Sequence, residues 1–119
     1  TPVAVADGGT DLYIQQERFR AQFAAAVPEP QARRMAATQR PITELALNEP
    51  SNAPAWKTIP SFFVWGDGDR NIPPAALRWM AERAGGREII EVPGASHALS
   101  VSYADTVAGV ILRAAQVVM

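Results

Sequence analysis

The stretch Ile59-Pro60-Ser61-Phe62-Phe63-Val64-Trp65-Gly66-Asp67-Gly68-Asp69-Arg70-Asn71-Ile72-Pro73 constrains the chain more than any other. A short apolar run ends at a glycine and empties into an acidic loop, after which proline opens a helix. Apolar runs bounded by turn signals read as fully buried strands, most often in a parallel sheet. Leu77, Met80, Ala81 and Ala84 then stand at i, i+3, i+4 and i+7, an amphipathic helix closed by Gly85-Gly86. Glu88-Ile89-Ile90-Glu91-Val92 follows as a second strand. With the first strand at about 58–65, this spacing predicts one βαβ unit of two parallel strands joined by a right-handed crossover. Open α/β sheets bind their ligands beyond the carboxyl ends of the strands, so the loops after Trp65 and Val92 are where a site belongs.

The rest of the chain is cut into short pieces by proline. Residues 1–10 have no helical period and end near Gly8-Gly9, so a loop or lead-in is expected, with a very short strand at Asp11-Leu12-Tyr13-Ile14. Phe19, Phe23 and Val27 fall at four-residue spacing in a helix that starts near Gln16. Pro28-Glu29-Pro30 stops it and starts a second helix over roughly 30–40, in which Met35 is the only large apolar residue. A third short helix is expected at about 42–48, then a turn-rich linker, NEPSNAPAWK, from Asn48 to Lys57. These small helices read as a lid rather than a core. Beyond the second strand, Ser102-Tyr103-Ala104-Asp105 fits a capping box, and Val107, Val110, Ile111 and Ala114 form the buried stripe of a last helix. The expected division is 1–57, a helical cap-like segment and linker, and 58–119, an α/β core segment.

Composition removes several classes of function. At 119 residues there is room for one domain, and 48% hydrophobic with 19% charged residues is ordinary for a globular chain. A net charge of −1 offers no basic footprint for nucleic acid or an anionic membrane, and no apolar run is long enough to span a bilayer. The lack of cysteine excludes disulfides and thiolate chemistry and fits a cytoplasmic setting. Nothing in the sequence asks for a cofactor. The sequence begins at Thr1 rather than methionine, so upstream residues are expected to have been removed or left out.

His97 is the only histidine, and it follows the second strand in a glycine-led loop, Gly94-Ala95-Ser96-His97. Both strand ends thus present an ionisable group at one rim of the βαβ unit. A lone loop histidine is more often structural or solvated than catalytic. An imidazole held by a carboxylate, however, is the acid–base half of a catalytic triad, the carboxylate fixing the tautomer and stabilising the imidazolium. Two other patterns carry less. Asp67-Gly68-Asp69-Arg70-Asn71 imitates the start of a calcium loop, but Ile72 and Arg78 stand where that loop needs glycine and glutamate. Trp56, Trp65 and Trp79 suggest a stacking surface, against the more usual reading of core and cap contacts.

The pattern Gly66-x-x-Asp69-x-x-x-Pro73 after an apolar strand, with His97 28 positions beyond Asp69, resembles the carboxyl-terminal half of an α/β-hydrolase. The wording IPSFFVWGDGDRNIPPAALRWMAERAG is similar to esterase-like enzymes of the bacterial haloperoxidase and plant methylesterase type. The resemblance covers about Thr58 to Ala115 strongly and residues 7–57 weakly, as part of a cap. It implies an α/β fold, here a partial α/β-hydrolase fold of one βαβ unit with a small helical cap-like N-terminal region. It also implies a small ester substrate, with His97 as general base and Asp69 as the triad acid; Asp67, two positions early, is the weaker candidate. The family's nucleophile elbow, Gly-x-Ser-x-Gly, is missing. Gly94-Ala95-Ser96-His97-Ala98 imitates it, but Ser96 adjoins the base and follows the wrong strand. The other serines, Ser51, Ser61, Ser100 and Ser102, have strand, loop or capping explanations. The apolar strand Phe62-Phe63-Val64-Trp65 would leave an uncharged edge open. Pairing with a second copy in a homodimer, or docking with a missing N-terminal half, is therefore expected. The alternative function is a non-catalytic hydrolase remnant that self-assembles or docks a partner.

Overall fold

Strand β4 covers Phe62–Gly66 and runs parallel to β5, Glu88–Val92, in a two-stranded sheet with Phe62 opposite Glu88 and Gly66 opposite Val92. The computed structural model describes residues 1–6 and 8–118. Between the two strands lies helix α4, Pro74–Arg83, so the βαβ unit is present as one continuous piece. Prolines at the first turn start α4 without wasting a donor. Its end is a Schellman turn: Gly85 sits at φ 63°, its N–H donates to Glu82 O, and Gly86 N–H donates to Ala81 O. Strand β4 begins four residues later than the expected 58. A 3-10 turn at Ala55–Lys57 and Pro60, which has no N–H, keep the preceding segment out of the ladder.

The first half contains more β-structure than the one very short strand expected at 11–14, which overlaps a strand at Thr10–Leu12. Strands β1 (Pro2–Ala4), β2 (Thr10–Leu12) and β3 (Ile42–Thr43) form an antiparallel sheet in the order β1-β2-β3. The expected lead-in over residues 1–10 is thus largely a hairpin, and the expected helix at 42–48 gives its first two residues to β3 before α3, Glu44–Asn48. Thr43 makes that switch, accepting the Ala46 N–H on its side chain as an N-cap. Helix α1, Gln16–Phe23, stops four residues short of Val27: the chain turns there, the Val27 N–H donating to Ala24 O at 3.0 Å, before Pro28 leads into α2, Glu29–Thr38. Val27 is nonetheless fully buried, and Arg20 Nε donates to its carbonyl at 3.3 Å.

This half has a buried cluster of its own. Phe19, Ala24, Val27, Ala32 and Ala36 form a buried cluster with Ala98, a residue of the loop after β5, and Ile14, Phe23 and Met35 pack against it. The small side chains let α1 and α2 approach closely, which the alanine-rich composition permits.

The chain closes with α5, Leu99–Ser102, and α6, Ala104–Val118. The expected capping box is not used: Ser102 ends α5 and its hydroxyl donates to Ala98 O at 3.4 Å. Val110 is buried in the α6 stripe and Val107 half-buried, but Ile111 is exposed, as is Met80 on α4. Arg113 of α6 forks onto both carboxylate oxygens of Glu88, at 2.5–3.0 Å, and ties the helix to the start of β5.

Candidate active site

The two strand tips lie against each other because glycine removes every side-chain obstacle between them. A Cβ on Gly66 would stand 2.0 Å from Ala95 O and 2.4 Å from Ala95 C, so no other residue fits there without moving backbone. With the gap closed, Gly68 N–H donates to Ala95 O at 3.0 Å and Asp67 N–H to Val92 O at 3.2 Å. Asp67 completes the lacing, its Oδ1 accepting the Gly94 N–H at 2.6 Å. That contact gives the first aspartate a loop-joining place, away from the imidazole.

Asp69 is the aspartate that faces His97. Its Oδ2 lies 2.7 Å from His97 Nδ1. Its Oδ1 accepts the backbone N–H groups of Asn71 at 2.8 Å and Ile72 at 2.9 Å, an Asx-type turn that sets the direction of the carboxylate. The Asp69 side chain is 3% exposed and that of His97 27%. A buried carboxylate thus underlies a partly accessible ring. His97 Nε2 has no protein partner among the described residues. The Phe23 ring packs against the imidazole, with centroids 4.7 Å apart and the planes tilted by 55°.

An apolar cavity of about 760 Å³ borders this arrangement. Leu12, Ile14, Phe19 and Met35 supply its walls, and it shares Phe23 with the imidazole and Asn71 and Ile72 with the Asp69 turn. Its volume suits a small to medium organic ligand.

Other residues singled out from sequence lie elsewhere. Ser96 is 1% exposed, and its Oγ accepts the Ala26 N–H at 3.3 Å, pinning the loop after α1 to the histidine loop. The apparent elbow is therefore a buried structural hydroxyl. Ser61 lies just before β4, with its hydroxyl donating to Ile59 O. Trp65 is core, but Trp79 is exposed and Trp56 half-buried, with the Arg83 guanidinium 5.1–5.2 Å from both rings. No group of three or more His, Cys, Asp or Glu able to hold a metal occurs among the described residues, and no helix among them is long and apolar enough to cross a membrane. Sequence reasoning missed Gln22 and Asn71, whose amides meet at 3.1 Å, Gln22 Nε2 donating to Asn71 Oδ1. For Asn71 a local signal existed, since Asp-x-Asn favours the turn it makes; Gln22 had none.

The model of the alpha/beta hydrolase family matches residues 2–110. The chain belongs to the alpha/beta hydrolase family. The match extends through the small antiparallel sheet and its helices as well as the βαβ unit. A comparison with curated proteins found no match.

Proposed function

We propose that the chain is the acid–base portion of an esterase-like hydrolase, corresponding to the carboxyl-terminal half of such an enzyme, with the nucleophile supplied from outside these 119 residues. The observation that carries this reading is the 2.7 Å contact of His97 Nδ1 with Asp69 Oδ2, with Nε2 left unpartnered among the described residues. A carboxylate on Nδ1 holds the imidazole in the tautomer whose Nε2 lone pair is free to accept a proton. His97 Nε2 then takes the proton of an attacking hydroxyl and returns it to the departing alcohol. Asp69, fixed by two backbone N–H groups, orients the ring and stabilises its charged form. The apolar cavity favours a carboxylic ester with a hydrocarbon acyl or alcohol group. The wording from Ile59 to Gly85 supports the haloperoxidase and plant methylesterase type.

A fluorophosphonate probe followed by mass mapping tests the proposal, on the purified chain and on any polypeptide that co-purifies with it. The expected label falls on a serine of a second polypeptide and not on Ser96. Ester turnover that survives His97→Ala unchanged would remove His97 from the reaction.

One observation favours the second reading, a non-catalytic assembly module. Among the described residues β4 pairs with β5 alone, and its run Ser61–Trp65 carries no charge. The other strand is protected in the usual way for an edge, with Glu88 and Glu91 held by Arg113 and Arg78. A homodimer in light scattering, with no labelled serine in any chain, is the outcome that this reading expects. A concentration-independent monomer counts against it.

A further inference from the structure

The carboxyl end of α1 reaches the pair twice, through consecutive residues. Gln22 Nε2 donates to Asn71 Oδ1 at 3.1 Å, and the Asn71 backbone N–H donates to Asp69 Oδ1 at 2.8 Å. Phe23 lays its ring against His97 with centroids 4.7 Å apart, while its carbonyl accepts the Ala98 N–H at 2.9 Å. One residue thus bears on the carboxylate and the next on the imidazole. The geometry points to Gln22 and Phe23 as positioning residues through which the N-terminal half sets the alignment of His97 with Asp69. This inference rests on the acid–base reading of that pair.

The physical need is specific. One hydrogen bond to Nδ1 fixes where the ring is held but leaves it free to swing about the bond. A neighbouring ring in contact restricts that swing, and Phe23 provides one. Asn71 lies in a half-buried loop, and its turn can direct Asp69 only while the loop itself stays put. The Gln22 amide is the side-chain tie from α1 to that loop, across 49 positions of sequence. Small errors in such alignments are costly, because a displacement of about 1 Å is enough to lower a rate on the order of a hundredfold.

His97 is the only histidine, so its ring protons can be followed by NMR without ambiguity. The experiment measures solvent exchange of the His97 Nδ1–H proton in the full chain and in five variants. Asp69→Asn comes first: it should abolish the slowly exchanging signal, and an unchanged signal would refute the pairing itself, and the inference with it. In Gln22→Ala and Phe23→Leu exchange is expected to quicken by about fivefold, the effect of one lost hydrogen bond or packing contact on local opening. Gln22→Glu should restore slow exchange, since Asn71 can turn its amide to donate. Val27→Ala loosens the same buried cluster without touching the chain of contacts. It should lower the melting temperature yet leave exchange within about twofold of the starting value. If Gln22→Ala leaves exchange unchanged while Asp69→Asn abolishes the signal, the pairing stands and the positioning role is overturned. Equal acceleration in Val27→Ala and Gln22→Ala also overturns it, because the effect is then general loosening.

Discussion

Replacing Gly66 by alanine is the sharpest test of how the strand tips are held together. The new Cβ would lie 2.0 Å from Ala95 O, 2.4 Å from Ala95 C and 2.7 Å from Ala95 Cβ, none of which is the end of a flexible side chain. Carbon contacts become comfortable only near 3.5 Å, so the two loops must part by at least about 1 Å. That movement strains the Gly68 N–H···O Ala95 bond, now 3.0 Å, and the Gly94 N–H···Oδ1 Asp67 bond, now 2.6 Å. Two hydrogen bonds at about 1 kcal/mol each, with an overpacking strain of about 1–3 kcal/mol, give a loss of about 3–5 kcal/mol. That is a large share of the roughly 5–15 kcal/mol that holds a domain folded. The assay is urea unfolding followed by tryptophan fluorescence, with Gly68→Ala alongside. At Gly68 the new Cβ would be 3.0 Å from Ala95 O, and a loss of about 1 kcal/mol is expected. Equal midpoints for the two variants, or a Gly66→Ala loss under about 0.5 kcal/mol, would refute the close-approach argument.

Two further outcomes follow from single contacts. Ser96→Ala should cost about 1 kcal/mol in urea unfolding, because it leaves the half-buried Ala26 N–H without its partner, while reactivity towards a fluorophosphonate stays unchanged. Glu88 titrates below the ordinary carboxylate range because Arg113 donates to it, and Arg113 is held correspondingly higher. A depressed folded-state value means that the contact stabilises the chain above the unfolded carboxylate's titration and ceases to as pH falls through the folded one. Glu88→Gln should therefore unfold more easily than the parent at neutral pH and match it in acid, which melting curves across that range will show.

What the sequence displays and what it hides divide along physical lines. The βαβ unit is legible because each of its signals is local: an apolar run, a helical period and a Gly-Gly stop. β5 and the helix between the strands fall where those signals put them. The meeting of Asp69 with His97 is legible because parallel strands bring their tips to one side. The small antiparallel sheet is not, since strands of two or three residues such as Ile42–Thr43 are too short to show alternation. Its pairing is made by contacts such as Leu12 with Ile42, which no local window contains. The sequence makes helix α1 look longer than it is, because Val27 continues the period of Phe19 and Phe23 into the turn before Pro28. Ser96 and Gln22 were opaque for a third reason: their partners, Ala26 and Asn71, lie 70 and 49 positions away. A lone polar side chain does not announce a distant partner.

The account turns on which nitrogen of one imidazole carries the proton. At about pH 8.5, where an ordinary imidazole is neutral, the ¹⁵N spectrum of His97 should show a protonated Nδ1 and a bare Nε2, and that preference should disappear in Asp69→Asn. A ring protonated mainly on Nε2, or a spectrum indifferent to the Asp69 substitution, would contradict it.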